Sequence, residues 1–498
     1  MGILSAIILL PLLGAAIILC VPKDKPRVVQ GIAVAALVLD LLLALWALAS
    51  FDPGTLQMDA LSFSFVEKLP WIPSLDIHYH VGADGLSFPL ILLTALLSLV
   101  AGVYSLNITV RVKEFFFWYL LLETGLLGVF AALDFFLFYL FWELTLVPMY
   151  FLIGVWGGPK KEFAAIKFFL FTLFGSVFML LGILALYFNS TPHTFDMVQL
   201  MAAHAGFSRE FQILVFLAFY LGLAVKVPAF PFHTWLPLAH VEAPTGVSVL
   251  LAGVLLKMGA YGLLRISYSM LPAGFQWFLP VLVIIAFINI LYGALCAMDQ
   301  TDMKKMVAYS SINHMGYCML GMAAVSSIGF SGAVLQMITH GLITGALFLL
   351  VGVVYDRAHT REIGAFGGLG SVVPVYAGIM SLTCFASLGL PGLAGFVSEF
   401  LCFLGAFPAW KWVTILSVSG ILVTAAFFLR MIEKVFLGPL DSKWEGLPDM
   451  NARELLAVLP LTALTVAIGV WPRLALDLMN PTVTYLGRLF PDLFGALR

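Results

Sequence analysis

Residues 221–240 read LGLAVKVPAFPFHTWLPLAH, and their reading decides what kind of molecule this is. The segment begins as an apolar helix that carries Lys226 into its core. Pro228 then lacks an N–H and its ring collides with the carbonyl of Ala224, so the helix has to break beside the lysine. Pro231 and Pro237 prevent easy resumption. The enclosing apolar run, 211–238, is too long for one uninterrupted bilayer crossing, which takes about 20 residues. Broken backbone at membrane depth is tolerated only where protein buries it or where it lines a cavity. Burial and a nearby carboxylate act in opposite directions on an amine's hold on its proton. A movable carboxylate would therefore switch Lys226 between keeping and releasing a proton.

Outward from this segment the chain has the same character. Its 498 residues are 62% apolar and 10% charged, with mean hydropathy +1.05, against roughly 45–50% and 25% in soluble domains. This excludes a soluble enzyme, a nucleic-acid binder and a disordered chain. A net charge of −2 leaves no basic surface for polyanions. Apolar runs occur near 2–21, 28–50, 87–107, 115–133, 135–156, 163–188, 211–238, 245–269, 275–298, 306–327, 330–355, 371–408, 411–437 and 453–472. The expectation is an all-α polytopic membrane protein of about fourteen transmembrane helices. Alternating segments of a β-barrel do not occur in the sequence. Residues 2–21 lack a basic leader and a cleavage site, so they read as a retained helix.

Lys and Arg orient the chain, because cytoplasmic loops carry the excess. With the N-terminus outside, the inner loops hold fifteen (Lys23, Lys25, Arg27, Arg111, Lys113, Lys160, Lys161, Lys304, Lys305, Arg357, Arg361, Arg430, Lys434, Lys443, Arg453). The outer loops hold seven (Lys68, Arg209, Arg265, Lys411, Arg473, Arg488, Arg498), and the longest of them, 51–86, is acidic. The five cysteines, 20, 296, 318, 384 and 402, form no close pair and read as small buried hydrophobes. Neither a P-loop nor a dinucleotide-binding glycine motif is present, so nucleotide chemistry within the chain is not expected.

Six ionisable residues lie where hydrocarbon makes them costly: Glu143, Lys226, Lys257, His314, His340 and Glu399. Glu143 sits about 12 Å into its span at 1.5 Å per residue, beyond the reach of snorkelling. Lys257 is near the centre of a span with Ala252, Gly253, Gly259 and Ala260 beside it, small residues that admit a close neighbour. His314 shares a polar stripe with Ser310, Asn313 and Tyr317. His340 lies on the stripe Gln336–His340–Thr344, and imidazole exchanges protons near neutrality. Simple packing histidines, or a haem-ligand pair, are the plainer readings of these two. Glu399 follows Gly389-Leu390-Pro391-Gly392, a second helix break, where Pro391 frees the carbonyl of Ser387. Glu123 reaches a depth comparable to Glu143, though a protonated, hydrogen-bonded Glu would serve there as well.

The two breaks fall in the fourth helices of the five-helix blocks 115–269 and 275–437. Because five is odd, the second block inserts upside down, giving an inverted-topology repeat with its site near the midplane. The expected organisation is N-terminal helices 1–3 over 1–110, a first repeat over 111–270, a second over 271–437, and a C-terminal helix and tail over 438–498.

Four stretches carry a family resemblance: FWELTLVPMYFLIGVWGG (141–158), AVKVPAFPFHTWLPLAHVEAPTGVSVLLAGVLLKMGAYGLLR (224–265), QTDMKKMVAYSSINHMGYCMLG (300–321) and GLPGLAGFVSEF (389–400). Over roughly residues 85–440 the chain resembles the antiporter-like subunits of complex I, NADH–quinone oxidoreductase, and among them the M-type (subunit-4 type) chains. The resemblance implies that Glu143 modulates Lys226 and that Lys257, His314 and His340 form a central proton relay. Glu399 would be the exit residue, where sister subunits carry Lys. Leu238 departs from the charged or polar residue of many members. No cofactor is expected in this chain; NADH, FMN, iron–sulfur clusters and quinone are expected in partner subunits. The implied partners are other membrane-arm subunits, including sister antiporter-like chains, with ferredoxin-driven relatives also in view. A bacterial plasma membrane is the expected location, with thylakoid and inner mitochondrial membrane as alternatives. A cation/proton antiporter or membrane-bound hydrogenase subunit is the alternative function, and a transport-inert scaffold the third.

Overall fold

The structure, a computed structural model, describes residues 2–53 and 62–490. Part of the 51–86 loop, Arg498 and the end of the 438–498 segment therefore lie outside the described residues. Helices α1 (Ile3–Cys20), α2 (Pro26–Ser50), α3 (Phe88–Tyr104), α4 (Val112–Ala131), α5 (Phe135–Trp156) and α6 (Lys161–Asn189) come first. Then follow α7 (Arg209–Lys226), α8 (Leu236–Glu242), α9 (Thr245–Tyr268), α10 (Pro272–Met298), α11 (Met303–Ala323) and α12 (Ser327–Ala358). The chain closes with α13 (Pro374–Ser387), α14 (Ala394–Ala406), α15 (Lys411–Phe436), α16 (Ala452–Val470) and α17 (Arg473–Leu489).

Eleven helices among the described residues are long and apolar enough to cross a membrane uninterrupted. The three expected spans missing from that set are 211–238, 306–327 and 371–408, each for a physical reason. The first and third are broken: α7 stops at Lys226 and the chain re-enters a helix at Leu236, while α13 stops at Ser387 and α14 begins at Ala394. The second, α11, carries Lys304, Lys305, Ser310, Ser311, Asn313 and His314, which lower its hydropathy. The best apolar windows of α9 and α12 are wholly buried, whereas most other spans keep an outer face for lipid. Those two helices are the axis on which the rest is packed.

The first break is held by side chains that satisfy the freed backbone. Asn289 on α10 accepts from Phe230 N at 2.8 Å and donates to Pro228 O at 3.0 Å. The indole of Trp235 donates to Val225 O at 2.9 Å. In the second break Gly389 and Gly392 have φ of +82° and +92°, left-handed geometry that a side chain would strain.

Four features depart from expectation. The structure is not purely helical: the outer loop contains an antiparallel hairpin, β1 (Ser64–Ile72) with β2 (Ile77–Ala83). A second C-terminal helix, α17, follows α16 and lies across the outer ends of α3 and α9, where Thr482 accepts from Gly85 N and Leu486 O from Tyr268. Arg265, assigned above to an outer loop, is fully buried and pairs with Asp84 at 2.5 Å, and Lys304, assigned to an inner loop, is buried and donates to Ala243 O. Cys20 is exposed, not buried.

Two outer-face clusters lock these parts together. Asp84 accepts from the backbone of Leu86 and Ser87 at the start of α3 while pairing with Arg265, whose Nε donates to Tyr261 at 3.2 Å. Breaking a buried pair by removing one partner costs about 3–5 kcal/mol. Arg265→Leu should therefore lower the thermal midpoint of the purified protein clearly, and Arg265→Leu combined with Asp84→Asn should recover part of that loss.

The hairpin is tied down through Asp196, which caps the short helix Met197–Ala202 and accepts from Lys68 at 2.6 Å beside His80 at 3.2 Å. Burial pushes this carboxyl up, but hydrogen bonds from His80 and Lys68 outweigh it and hold Asp196 well below the usual carboxylate range. A depressed folded-state pKa gives stability that is complete above the unfolded value, near 3.9, and fades as pH falls below it. Protease cleavage within 64–83 should accordingly stay slow from neutrality down to about pH 4 and quicken in stronger acid, and Asp196→Asn should make it fast throughout.

Candidate functional site

Six helices, α5, α7, α9, α11, α12 and α14, carry the six predicted residues, one each. Lys257 lies on α9 between two π-helical segments, Leu251–Leu255 and Leu263–Tyr268. Such wide turns are frequent at functional sites because they free carbonyls from the helical ladder. Ala252 O accepts from Lys257 Nζ at 2.6 Å. The same ammonium lies 2.6 Å from His340 Nδ1 on α12. The backbone of His340 is braced in turn by the hydroxyl of Thr344.

His314 on α11 continues the line, its ring centroid 5.5 Å from that of His340. Its Nδ1 is 3.0 Å from Glu399 Oε1 and its Nε2 3.0 Å from Ser387 Oγ, so the ring bridges both sides of the second break. With Nδ1–H donating to the carboxylate, Nε2 accepts from Ser387 when the ring is neutral. On protonation Nε2 becomes a donor and the serine bond reverses. Gln336, Thr339 and Ser398 make the adjoining network: Ser398 donates to Gln336 Oε1 at 2.5 Å and lies 2.9 Å from Thr339 Oγ1. A cavity of about 10 Å³ is enclosed by His314, His340, Gln336, Ser387 and Glu399 among others, near the minimum size for a single water.

Lys226 and Glu143 stand apart from this contact chain. Lys226 Nζ is buried without a hydrogen-bond partner and faces the rings of Trp142 and Phe168, 5.3 and 5.7 Å from their centroids. Ring faces solvate an ammonium when water is excluded. Glu143, next to Trp142, is half-buried with Oε1 unpartnered. Glu143 is held in no fixed ion pair: no contact within 4.0 Å joins it to a lysine among the described residues. What places α9 against the first break is Gly259, where an added Cβ would lie 2.6 Å from Leu223 O and 2.8 Å from Val227 N.

Two histidines escaped the sequence reading. His240 on α8 is fully buried, neither ring nitrogen has a partner, and it stacks on Phe348 at 4.6 Å. His233, within the first break, is buried with Nδ1 unpartnered. Their signal was present: both fall in LGLAVKVPAFPFHTWLPLAH (221–240), close to its prolines. Beside α8 a cavity of about 280 Å³ is lined by Tyr104, Glu242, Lys304, Asp356 and Arg361 among others. It lies at the lysine- and arginine-rich face, assigned above to the inside.

Comparison with known proteins places this geometry. A family model described as NADH:quinone oxidoreductase/Mrp antiporter, TM, matches residues 132–426. The NADH-quinone oxidoreductase subunit M of Rhodobacter capsulatus is 43% identical, over 100% of this chain and 98% of its own. An NAD(P)H-quinone oxidoreductase chain 4 of Synechococcus sp. is 40% identical over 96% of this chain and 91% of its own. A chain of respiratory complex I from Thermus thermophilus superposes with TM-score 0.89 at 31% identity, covering 98% and 99% of the two chains. A chain of the Mrp complex from Dietzia sp. shares the fold, with TM-score 0.83 at 22% identity and coverage of 99% and 98%.

His340 is the side chain through which Lys257 meets His314, so its loss should open the line. In sealed vesicles His340→Leu should slow proton movement through the protein by two or more orders of magnitude, the usual worth of a proton-transfer group. Thr344→Val, which spares the ring, should cost less than tenfold.

Proposed function

This chain belongs to the NADH:quinone oxidoreductase/Mrp antiporter transmembrane family, and we propose that within it the chain is the proton-translocating, M-type membrane subunit of an NADH (or related donor):quinone oxidoreductase. Electron transfer from donor to quinone takes place in partner subunits that hold FMN and iron–sulfur clusters. This chain converts the resulting conformational or electrostatic change into proton movement across a bacterial plasma membrane, beside sister antiporter-like subunits. Its fourteen spans form two inverted five-helix repeats, over 111–270 and 271–437, flanked by 1–110 and 438–498. The three interrupted or polar spans complete the set of eleven uninterrupted ones.

The observation that carries the reading is the contact line Lys257–His340–His314–Glu399. Each member can hold and pass a proton, and each lies in a span. A proton leaving Lys257 for His340 Nδ1 needs a new position on the far side of that ring. The unpartnered Nε2 supplies it at the small cavity that His340 and His314 both line, across which one water reaches His314. Glu399 receives the proton from His314 Nδ1. Upstream, Lys226 sits on ring faces instead of a salt bridge, so its charge responds to any displacement of Glu143. Protons enter from the inner-face cavity by way of His240 toward Lys257, the unpaired ring being the only buried imidazole of α8.

In the assembled complex, Lys226→Ala and Glu143→Ala should each reduce donor-driven proton pumping to a small fraction of the parent's, with the chain still incorporated. Full pumping by both variants defeats the proposal. Purification in mild detergent should bring down quinone-linked redox subunits; recovery with small antiporter subunits instead favours the cation/proton antiporter reading, whose fold is shared.

A further inference from the structure

Two more carboxyls are enclosed in the membrane bundle outside the row just described. Asp40 lies near the middle of α2 and Glu123 near the middle of α4, both with no solvent exposure. The two helices pack together, and the two carboxyl groups face one another across that contact. No donor lies within hydrogen-bonding geometry of any of their four oxygens, and among the described residues no cation pairs with either. A third group points into the same place. The hydroxyl of Ser98, on α3, faces Glu123 and is itself fully buried with no other partner. The neighbouring Tyr119 is turned away, its hydroxyl donating to Ser98 O at 2.7 Å.

Two carboxylates in contact cannot both remain ionised, because like charges at hydrogen-bond distance repel strongly where dielectric screening is weak. Nor can either carboxylate accept from the other unless one carries a proton, since an ionised carboxyl is an acceptor only. With no cation at hand, an unprotonated pair would bury two uncompensated charges. We propose that Asp40 and Glu123 form a second proton-binding site, a carboxyl dyad between α2 and α4 that holds its own proton independently of the line from Glu143 to Glu399. Binding is simple in balance: one carboxylate takes one H⁺, becomes a carboxylic acid, and turns its new O–H to donate to the second carboxyl, beside the unpartnered hydroxyl of Ser98.

The position gives the site a neighbour of interest. Two residues beyond Glu123, an added Cβ at Gly125 would meet Thr145 at 3.0 Å and the carbonyl of Phe141 at 3.2 Å. The backbone of α4 thus runs against the part of α5 that carries Glu143, and protonation of the dyad changes the charge that this part of α5 faces. The dyad itself stands whether or not Lys226 and Glu143 drive pumping.

Infrared absorption of the purified complex tests the dyad, comparing the parent with Asp40→Asn/Glu123→Gln, whose amides keep the shape and remove the acids. The parent-minus-variant spectrum should show the C=O stretch of a protonated carboxylic acid. A difference spectrum containing only the paired stretches of ionised carboxylates, or no difference in either region, overturns the proposal. If the amide variant does not assemble, the exchange Asp40→Glu/Glu123→Asp keeps both acids in reversed order. It should retain the carboxylic-acid stretch at a shifted frequency, and a spectrum identical to the parent's overturns the proposal. The readout requires no turnover, so it is separable from a failure of the pumping experiment.

Discussion

An ionisable group carried into hydrocarbon has to be solvated by protein, and the way each one is solvated here organises everything around it. Ring faces of Trp142 and Phe168 surround Lys226, a carbonyl released by a π-helical turn and an imidazole receive Lys257, and a histidine set across a helix break holds Glu399. Each arrangement requires irregular backbone, and irregular backbone at that depth needs its own satisfaction, which Asn289 and Trp235 provide at the first break. The breaks and the buried charges are therefore one feature, since neither is affordable without the other.

The charges fall into two populations that differ in partner. Near the faces of the bundle they are paired in fixed geometry: Asp84 with Arg265, Arg361 with Asp302 at 3.0 Å, and Arg357 with Glu454 through two parallel bonds of 2.8 and 2.7 Å. An arginine fork held by a carboxylate gives up its proton to nothing, so these pairs suit anchoring. In the interior the partners are histidine, serine, carbonyls and ring faces, each of which tolerates the arrival or departure of a proton. Bidentate arginine pairs are absent from the interior line, which keeps it free to change state.

Packing assigns the central role to α9 and α12. Their central apolar windows are wholly buried, so the polar residues within them, Lys257 and His340 included, are turned toward other helices. Glycines on α9 admit close neighbours along its length: an added Cβ at Gly253 would lie 2.4 Å from Leu97, and one at Gly259 against the first break. The lipid-facing helices, by contrast, put single large apolar side chains such as Leu422 and Trp412 outward. The scaffold is thus a rigid pair of inner helices with broken helices applied to either side.

Much of this was present in the chain before any folding is considered. Proline has no N–H, a bilayer has one thickness, and a charge more than a few residues from a helix end has no route to water; these local facts were enough to locate both breaks, the apolar runs and Glu143, Lys226, Lys257, His314, His340 and Glu399. They could not say which group meets which. Asp84 and Arg265 are 181 positions apart, Asp40 was hidden in an ordinary apolar run, and His240 was passed over beside the prolines of the first break. The hairpin at 64–83 escaped because Pro70 and the register shifts at Ser64/Glu67 and Pro70/Ile72 interrupt the alternation of a strand. Pairing of this kind is a property of helix neighbours, and those are chosen by the packing of whole surfaces; only the tertiary structure separates the charges held in fixed arginine–carboxylate pairs from those set against histidine, carbonyls and ring faces.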